Sequence, residues 1–138
     1  MYSIVLDTNV IVSGSIMQKG NSAFILDSWR KEKIQIITSL DILDEFRNVM
    51  LEKFDAPKDD VETLIAFLIW KGNVVKPVQK LDVVKEDPDD NKFLEAALEG
   101  KADYIVSGDK DLLRLKIFDG VEIISPAEMV SIIKKGES

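Results

Sequence analysis

Residues 4–9 read IVLDTN, a short apolar run that ends in an aspartate, Asp7. Three apolar residues in a row without polar alternation predict a strand buried on both faces, and so a strand in the centre of a sheet. Asp7 would then stand at the carboxyl end of that strand, the edge at which open parallel sheets bind ligands. This stretch therefore predicts both the middle of the sheet and a polar group at its binding edge.

The rest of the chain alternates between predicted helices and strands. We predict further strands at residues 34–37, 73–78, 104–106 and 121–124. We predict helices at 8–17, 21–33, 38–53, 58–71, 87–99, 110–115 and 126–134, with fraying from 136 to 138. Such alternation is typical of a three-layer α/β/α fold, Rossmann-like, with a central parallel sheet of about five strands. No repeat or long linker divides the chain, so we expect residues 1–138 to form a single domain.

The composition excludes several kinds of chemistry. Among 138 residues there is no cysteine and no histidine. Disulfides, zinc–thiolate sites and thiol nucleophiles are therefore absent, and carboxylates are the main reactive groups that remain. The longest apolar run, residues 64–70, is too short to span a bilayer. With no recognisable signal peptide either, we expect a cytoplasmic protein without membrane attachment.

The net charge of −7 at pH 7 argues against a simple basic surface for nucleic acid. Divalent metals bound by converging acids would, however, neutralise that charge locally and could invert the field. The charge balance therefore weakens a nucleic-acid function without excluding it.

Carboxylates fall in four places near the predicted binding edge of the sheet. They follow the first strand, lie in the helix after the second strand, open the helix before the fourth strand, and follow the fourth strand. The residues are Asp7; Glu45; Asp87, Asp89 and Asp90; and Asp109 and Asp111. Sites built from oxygen alone favour hard cations such as Mg²⁺ or Mn²⁺. Hard cations in turn indicate phosphate chemistry.

Each acid also has a simpler explanation. Asp7 and Asp109 are suitable helix N-caps, and Glu45 alone would be an ordinary solvated helix residue. Asp87 followed by Pro88 fits an N-cap with proline at the first helical position. These explanations do not account for the clustering of the carboxylates. Clustered carboxylates repel one another unless a bound metal or a proton neutralises their charge. We therefore favour one shared site.

Four segments of the chain form an ordered set, namely VLDTNV at 5–10, DEF at 44–46, DNKFLEAA at 90–97 and YIVSGDKDLL at 104–113. This set resembles the PIN-domain family, and within it the small prokaryotic VapC-like toxins of toxin–antitoxin pairs. The resemblance runs from residue 2 to about residue 130. Each segment alone is a weak signal, whereas the ordered set at these spacings is a specific one.

This resemblance implies an Mg²⁺- or Mn²⁺-dependent endoribonuclease with RNA as substrate and a protein antitoxin as candidate partner. The implied roles are as follows: catalytic Asp7, Glu45, Asp90 and Asp109; metal-binding Asp7, Asp90, Asp109 and Asp111; hydrogen-bonding support from Asn9 and Ser107; and substrate contact by Lys110. Asp90 is chosen over Asp87 and Asp89 because an Asn-x-Phe-Leu segment follows it.

Residues 65–70 are apolar nearly all round a helix. Such a helix is buried in its own core or covered by another subunit. We expect a homodimer that uses this helix.

Two other functions remain open. The first is a different Mg²⁺-dependent phosphohydrolase. Haloacid-dehalogenase phosphatases also begin with an aspartate after the first strand, but they need a second one where this chain has Asn9. Response-regulator receivers need adjacent acids near the N-terminus, and Asp7 stands alone. The second is a binding or scaffolding module with vestigial acids.

Overall fold

The computed structural model describes residues 1–136, and its centre is a six-stranded sheet. The strands are β1 (Tyr2–Leu6), β2 (Ile34–Ser39), β3 (Asn73–Val75), β4 (Tyr104–Val106), β5 (Ile117–Phe118) and β6 (Val121–Ile124). They lie in the order β3-β2-β1-β4-β6-β5. All neighbours are parallel except β5 and β6. The predicted parallel core of five strands is confirmed, and β5 adds a short antiparallel edge.

Helices flank this sheet. Within residues 1–136 they are α1 (Thr8–Ile16), α2 (Asn21–Arg30), α3 (Leu40–Glu52), α4 (Lys58–Lys71), α5 (Asn91–Gly100), α6 (Lys110–Leu113) and α7 (Pro126–Gly136). Helix α5 packs across β1 to β4, α2 packs on β2 and α7, and α3 packs on α1 and α4. The predicted α/β fold class is therefore confirmed. Gly136, expected to fray, ends α7, whereas residues 137 and 138 lie outside the described part of the chain.

Strand β1 is the centre of the core, as its sequence predicts. Ile4, Val5 and Leu6 are at most 1% exposed, and β2 and β4 flank the strand while α5 packs against it. The chain builds outward from β1 in one direction to β2 and β3, and in the other to β4 and β6. The reversal of strand order lies between β1 and β4, the position at which such sheets bind ligands.

The predicted end of the third strand is wrong, because long-range contacts override local pattern. Strand β3 ends at Val75, not at residue 78. The following residues form an irregular strap, defined here as residues 76–87, whose backbone N–H groups bond to side chains of α5. Val78 donates to Glu99 at 3.2 Å, Leu81 to Glu95 at 2.9 Å, and Val83 and Val84 to Asn91, each at 2.9 Å.

The helix predicted at residues 87–99 has a different start. It begins with a 3-10 turn at Pro88–Asp90, and the α-helix proper starts at Asn91. Helix α3 likewise starts at Leu40, two residues later than the predicted residue 38, because Thr38 is still in β2 and Ser39 is the N-cap.

Helix α4 divides its apolar residues between the core and the surface. Ile65 and Leu68 are buried, whereas Ile69 is 47% and Trp70 is 79% exposed. Burial in the protein's own core therefore explains only part of this helix, and the homodimer stays a prediction. No helix in the described part of the chain is long and apolar enough to cross a membrane.

Candidate active site

An acidic cleft of about 800 Å³ opens at the carboxyl ends of β1 and β4. Every acid singled out in the sequence lines it, namely Asp7, Glu45, Asp87, Asp89, Asp90, Asp109 and Asp111, together with Asn9 and Lys110. These residues span about three-quarters of the chain and come from four separate segments. The topology brings them together because parallel strands direct their carboxyl ends to one edge.

Asp7 lies at the base of the cleft and is only 4% exposed. Its Oδ1 accepts a hydrogen bond from the Val10 backbone N–H at 2.9 Å, so it is also the N-cap of α1. Its Oδ2 accepts a hydrogen bond from the Ser107 hydroxyl. Burial raises the pKa of Asp7, the bonds from Ser107 and Val10 oppose that rise, and the charge of Asp109 adds to it. Asp7 is therefore both the N-cap of α1 and part of the cleft.

Ser107 connects the two strand ends. It is fully buried at the end of β4, and besides donating to Asp7 its Oγ accepts from the Asp109 backbone N–H at 2.9 Å. Ser107 thus bonds to both Asp7 and Asp109, whereas Asn9 is exposed on the cleft wall, and the supporting role of each stays a prediction.

Three carboxylates form the tightest group in the cleft. One oxygen each from Asp87, Asp90 and Asp109 lies within 4.8 Å of the others. Buried Oδ2 atoms of Asp90 and Asp109 have no hydrogen-bond partner among residues 1–136. Buried polar atoms are rarely left without one. Crowded oxygens that lack donors are what a hard divalent cation needs as ligands, so the residues present fit such an ion.

The crowding also affects protonation. The pKa of Asp90 rises to about 8, chiefly through burial and then through the adjoining Asp109 carboxyl, with the charges of Asp87 and Asp7 adding to it. Without a cation, a proton therefore stabilises this part of the site near neutral pH.

The simpler explanation by capping does not account for Asp87 or Asp109. Each is the N-cap residue of its helical turn, yet neither side chain makes a capping hydrogen bond. Asp87, which we interpreted as a cap, instead belongs to the group with Asp90 and Asp109. Asp111 lines the cleft outside this group and lies 3.6 Å from Arg114.

Glu45 is held at both oxygens. The Thr8 hydroxyl donates to its Oε1, and the Lys92 ammonium donates to its Oε2 at 2.8 Å. Lys92 is mostly buried, with its side chain 15% exposed. Glu45 is therefore not a freely solvated helix residue, and its carboxylate has a fixed place in the cleft wall.

Known proteins share the sequence pattern and the fold of this chain. A family model described as PIN domain matches residues 3–111. An uncharacterized protein of Methanocaldococcus jannaschii, MJ1680, is 34% identical over 117 residues, which cover 82% of this chain and 74% of that protein. The chain belongs to the PIN domain family.

A solved structure shares the fold of this PIN domain. The crystal structure of VapBC2 from Rickettsia felis, bound to a DNA fragment from their promoter, superposes with a TM-score of 0.60. The match covers 89% of this chain and 98% of that chain at 13% identity. Identity this low shows a common fold and nothing finer.

The sequence did not predict three residues that build the PIN domain's cleft. They are Thr8 and Lys92, which hold Glu45, and Asn91, which anchors the strap just before Asp87. Asn91 is 4% exposed and also donates to the backbone oxygens of Val84 and Pro88. Thr8 and Asn91 directly follow the predicted site residues Asp7 and Asp90, and Lys92 lies two positions after Asp90.

Proposed function

We propose that this PIN domain, as a single domain over residues 1–138, is an Mg²⁺- or Mn²⁺-dependent endoribonuclease that hydrolyses RNA phosphodiester bonds. The observation that carries the proposal is the pair of buried, unpartnered oxygens on Asp90 and Asp109, with Asp87 in the same group. Membership of the PIN domain family supports a nuclease in general.

The residues that would hold the ion are Asp90 and Asp109, with Asp87 beside them and Asp7 behind. When bound, a divalent cation supplies positive charge to the scissile phosphate and makes the attacking water more acidic. Without such an ion, a cleft lined by seven carboxylates would repel a polyanion. Metal dependence and phosphate chemistry are therefore linked.

The protein's own residues have positioning and proton-transfer roles in this proposal. Ser107 holds Asp7 and Asp109 in register across the two strand ends. Glu45, fixed by Thr8 and Lys92, accepts a proton from the attacking water. Lys110 is exposed on the cleft wall and contacts the RNA backbone. Attack by water at phosphorus leaves 5′-phosphate and 3′-hydroxyl ends.

We further propose that the protein is the toxin of a toxin–antitoxin pair. The support is the fold shared with a chain of the VapBC2 assembly. An antitoxin would be its protein partner, and the exposed Ile69 and Trp70 of α4 give a surface for the homodimer. Co-purification with the product of a neighbouring reading frame tests the antitoxin.

Cleavage of total RNA tests the nuclease proposal. We expect cleavage with Mg²⁺ or Mn²⁺, none in EDTA, and none with Asp90→Asn or Asp109→Asn. Asp60→Asn is the matched control, because Asp60 is an exposed acid on α4 that does not line the cleft. Mapping the ends checks for 5′-phosphates. Undiminished cleavage in EDTA would exclude the metal mechanism, and hydrolysis of small phosphate esters without RNA cleavage would favour another phosphohydrolase.

A further inference from the structure

The carboxylates in the cleft fall into two groups that differ in how their charge is balanced. Asp87, Asp90 and Asp109 form the metal-sized group, and buried oxygens of Asp90 and Asp109 have no partner within residues 1–136. Glu45 lies outside that group. Both of its oxygens have donors, the Thr8 hydroxyl and the Lys92 ammonium. The protein itself therefore balances the charge of Glu45 and leaves that of the other group unbalanced.

Lys92 is firmly placed for this role. It lies in the first turn of α5, two residues after Asp90, and its side chain is 15% exposed while that of Glu45 is 33% exposed. Its Nζ also lies 5.4 Å from the centre of the Phe93 ring, which is itself buried. Between Asp90 and Lys92 stands Asn91, which is buried and bonded to the strap on both its amide oxygen and its amide nitrogen.

Partial burial strengthens this pair compared with pairs on the surface. Two opposite charges attract more strongly where water is excluded. Removing one of them leaves the other partly buried and uncompensated. Loss of Lys92 would therefore leave at Glu45 a carboxylate that needs another cation.

We propose that Lys92 is a built-in cation that takes the place of a second metal ion at Glu45, so that the cleft holds one divalent cation and not two. This inference rests on the proposed metal site at Asp87, Asp90 and Asp109. Lys92 is a positioning residue here, because it acts through Glu45 and not on the substrate.

Counting bound Mn²⁺ tests the inference without any measurement of activity. The protein is titrated with Mn²⁺ at pH 8.5, above the raised pKa of Asp90, by calorimetry and by the electron paramagnetic resonance signal of free Mn²⁺. We expect one ion per chain. Lys92→Met keeps the length of the side chain and removes its charge, and we expect this variant to bind two ions.

Two further variants show whether the second ion is bound by Glu45. Lys92→Arg retains the positive charge, and we expect it to bind one ion like the wild type. The double variant Lys92→Met with Glu45→Gln removes both charges, and we expect the count to return from two to one.

The outcomes separate this inference from the proposed function. Two ions on the wild-type protein, or one ion on a folded Lys92→Met variant, would overturn the role of Lys92 and leave the metal site standing. No ion on the wild-type protein would overturn both. The wild-type count can overturn the inference by itself, even if Lys92→Met does not fold.

Discussion

Replacing Asp90 by asparagine should stabilise the metal-free protein at alkaline pH. The folded-state pKa of Asp90 is about 8, compared with an ordinary value of 3.8. The folded protein therefore keeps this proton from about pH 4 to pH 8, where the unfolded chain has lost it. The stabilisation that this proton gives the folded state is fully present below about pH 4 and is lost as the pH rises towards 8. Asp90→Asn removes the group that titrates, and so removes this loss.

The size of the effect follows from the shift. A change from 3.8 to about 8 at about 1.4 kcal/mol per unit gives a ceiling of about 6 kcal/mol. Asp90 is only half-buried, so solvent screens much of this energy, and we expect a gain of about 1–2 kcal/mol. The gain should be largest at pH 8.5 and nearly absent at pH 4.5.

Urea unfolding in EDTA at pH 4.5, 6.5 and 8.5 measures this gain. Asp89→Asn is the matched control, since Asp89 is exposed in the same turn and lies outside the close group. The urea unfolding curves of Asp89→Asn should follow those of the wild type. Parallel pH dependence for Asp90→Asn and the wild type, or a variant less stable at every pH, would refute the raised pKa of Asp90.

Three further predictions concern metal binding, the strap and the dimer. A cation must displace the proton of Asp90, so the apparent affinity for Mn²⁺ should rise about tenfold per pH unit and level off above about pH 8. Calorimetry at several pH values measures this affinity. An affinity that does not change with pH would contradict the prediction. Asn91→Ala removes the side-chain bonds that hold the strap, so we expect a loss of about 2–4 kcal/mol in urea unfolding and faster proteolysis within residues 76–87. An unchanged cleavage pattern would show that Asn91 does not hold the strap. Trp70→Glu puts a charge on the exposed apolar surface of α4, and we expect light scattering to show a monomer in place of a dimer. RNA cleavage by the monomeric variant is the control for folding. A wild-type protein that is already monomeric would contradict the predicted dimer.

The features that the sequence predicted well are those with a local cause. Ile4, Val5 and Leu6 lack polar alternation, and a strand buried on both faces requires that pattern. Asp7 and Asp109 reach one cleft because each follows a strand of the parallel sheet, and the carboxyl ends of parallel strands lie at the same edge. Strand β5 was not predicted, although Asp119-Gly120 is a typical hairpin-turn sequence and both residues have positive φ in the structure.

The features that the sequence did not predict depend on contacts between distant segments. Glu45 and Lys92 are 47 residues apart and meet only because α3 packs beside α5. The strap looked like the end of a strand, since nothing near residue 78 in the sequence shows that Glu99 will accept its N–H. The place of Asp87 beside Asp109 follows from that strap, and capping preference alone assigned it otherwise.

Diffraction from crystals soaked in Mn²⁺ would show whether the cleft binds a divalent cation. We expect an anomalous peak in the cleft, bonded to carboxylate oxygens of Asp90 and Asp109 at about 2.0–2.4 Å, the range for hard cations with oxygen ligands. A cleft without such a peak, in crystals of a protein that cleaves RNA in the same buffer, would contradict the proposed metal site.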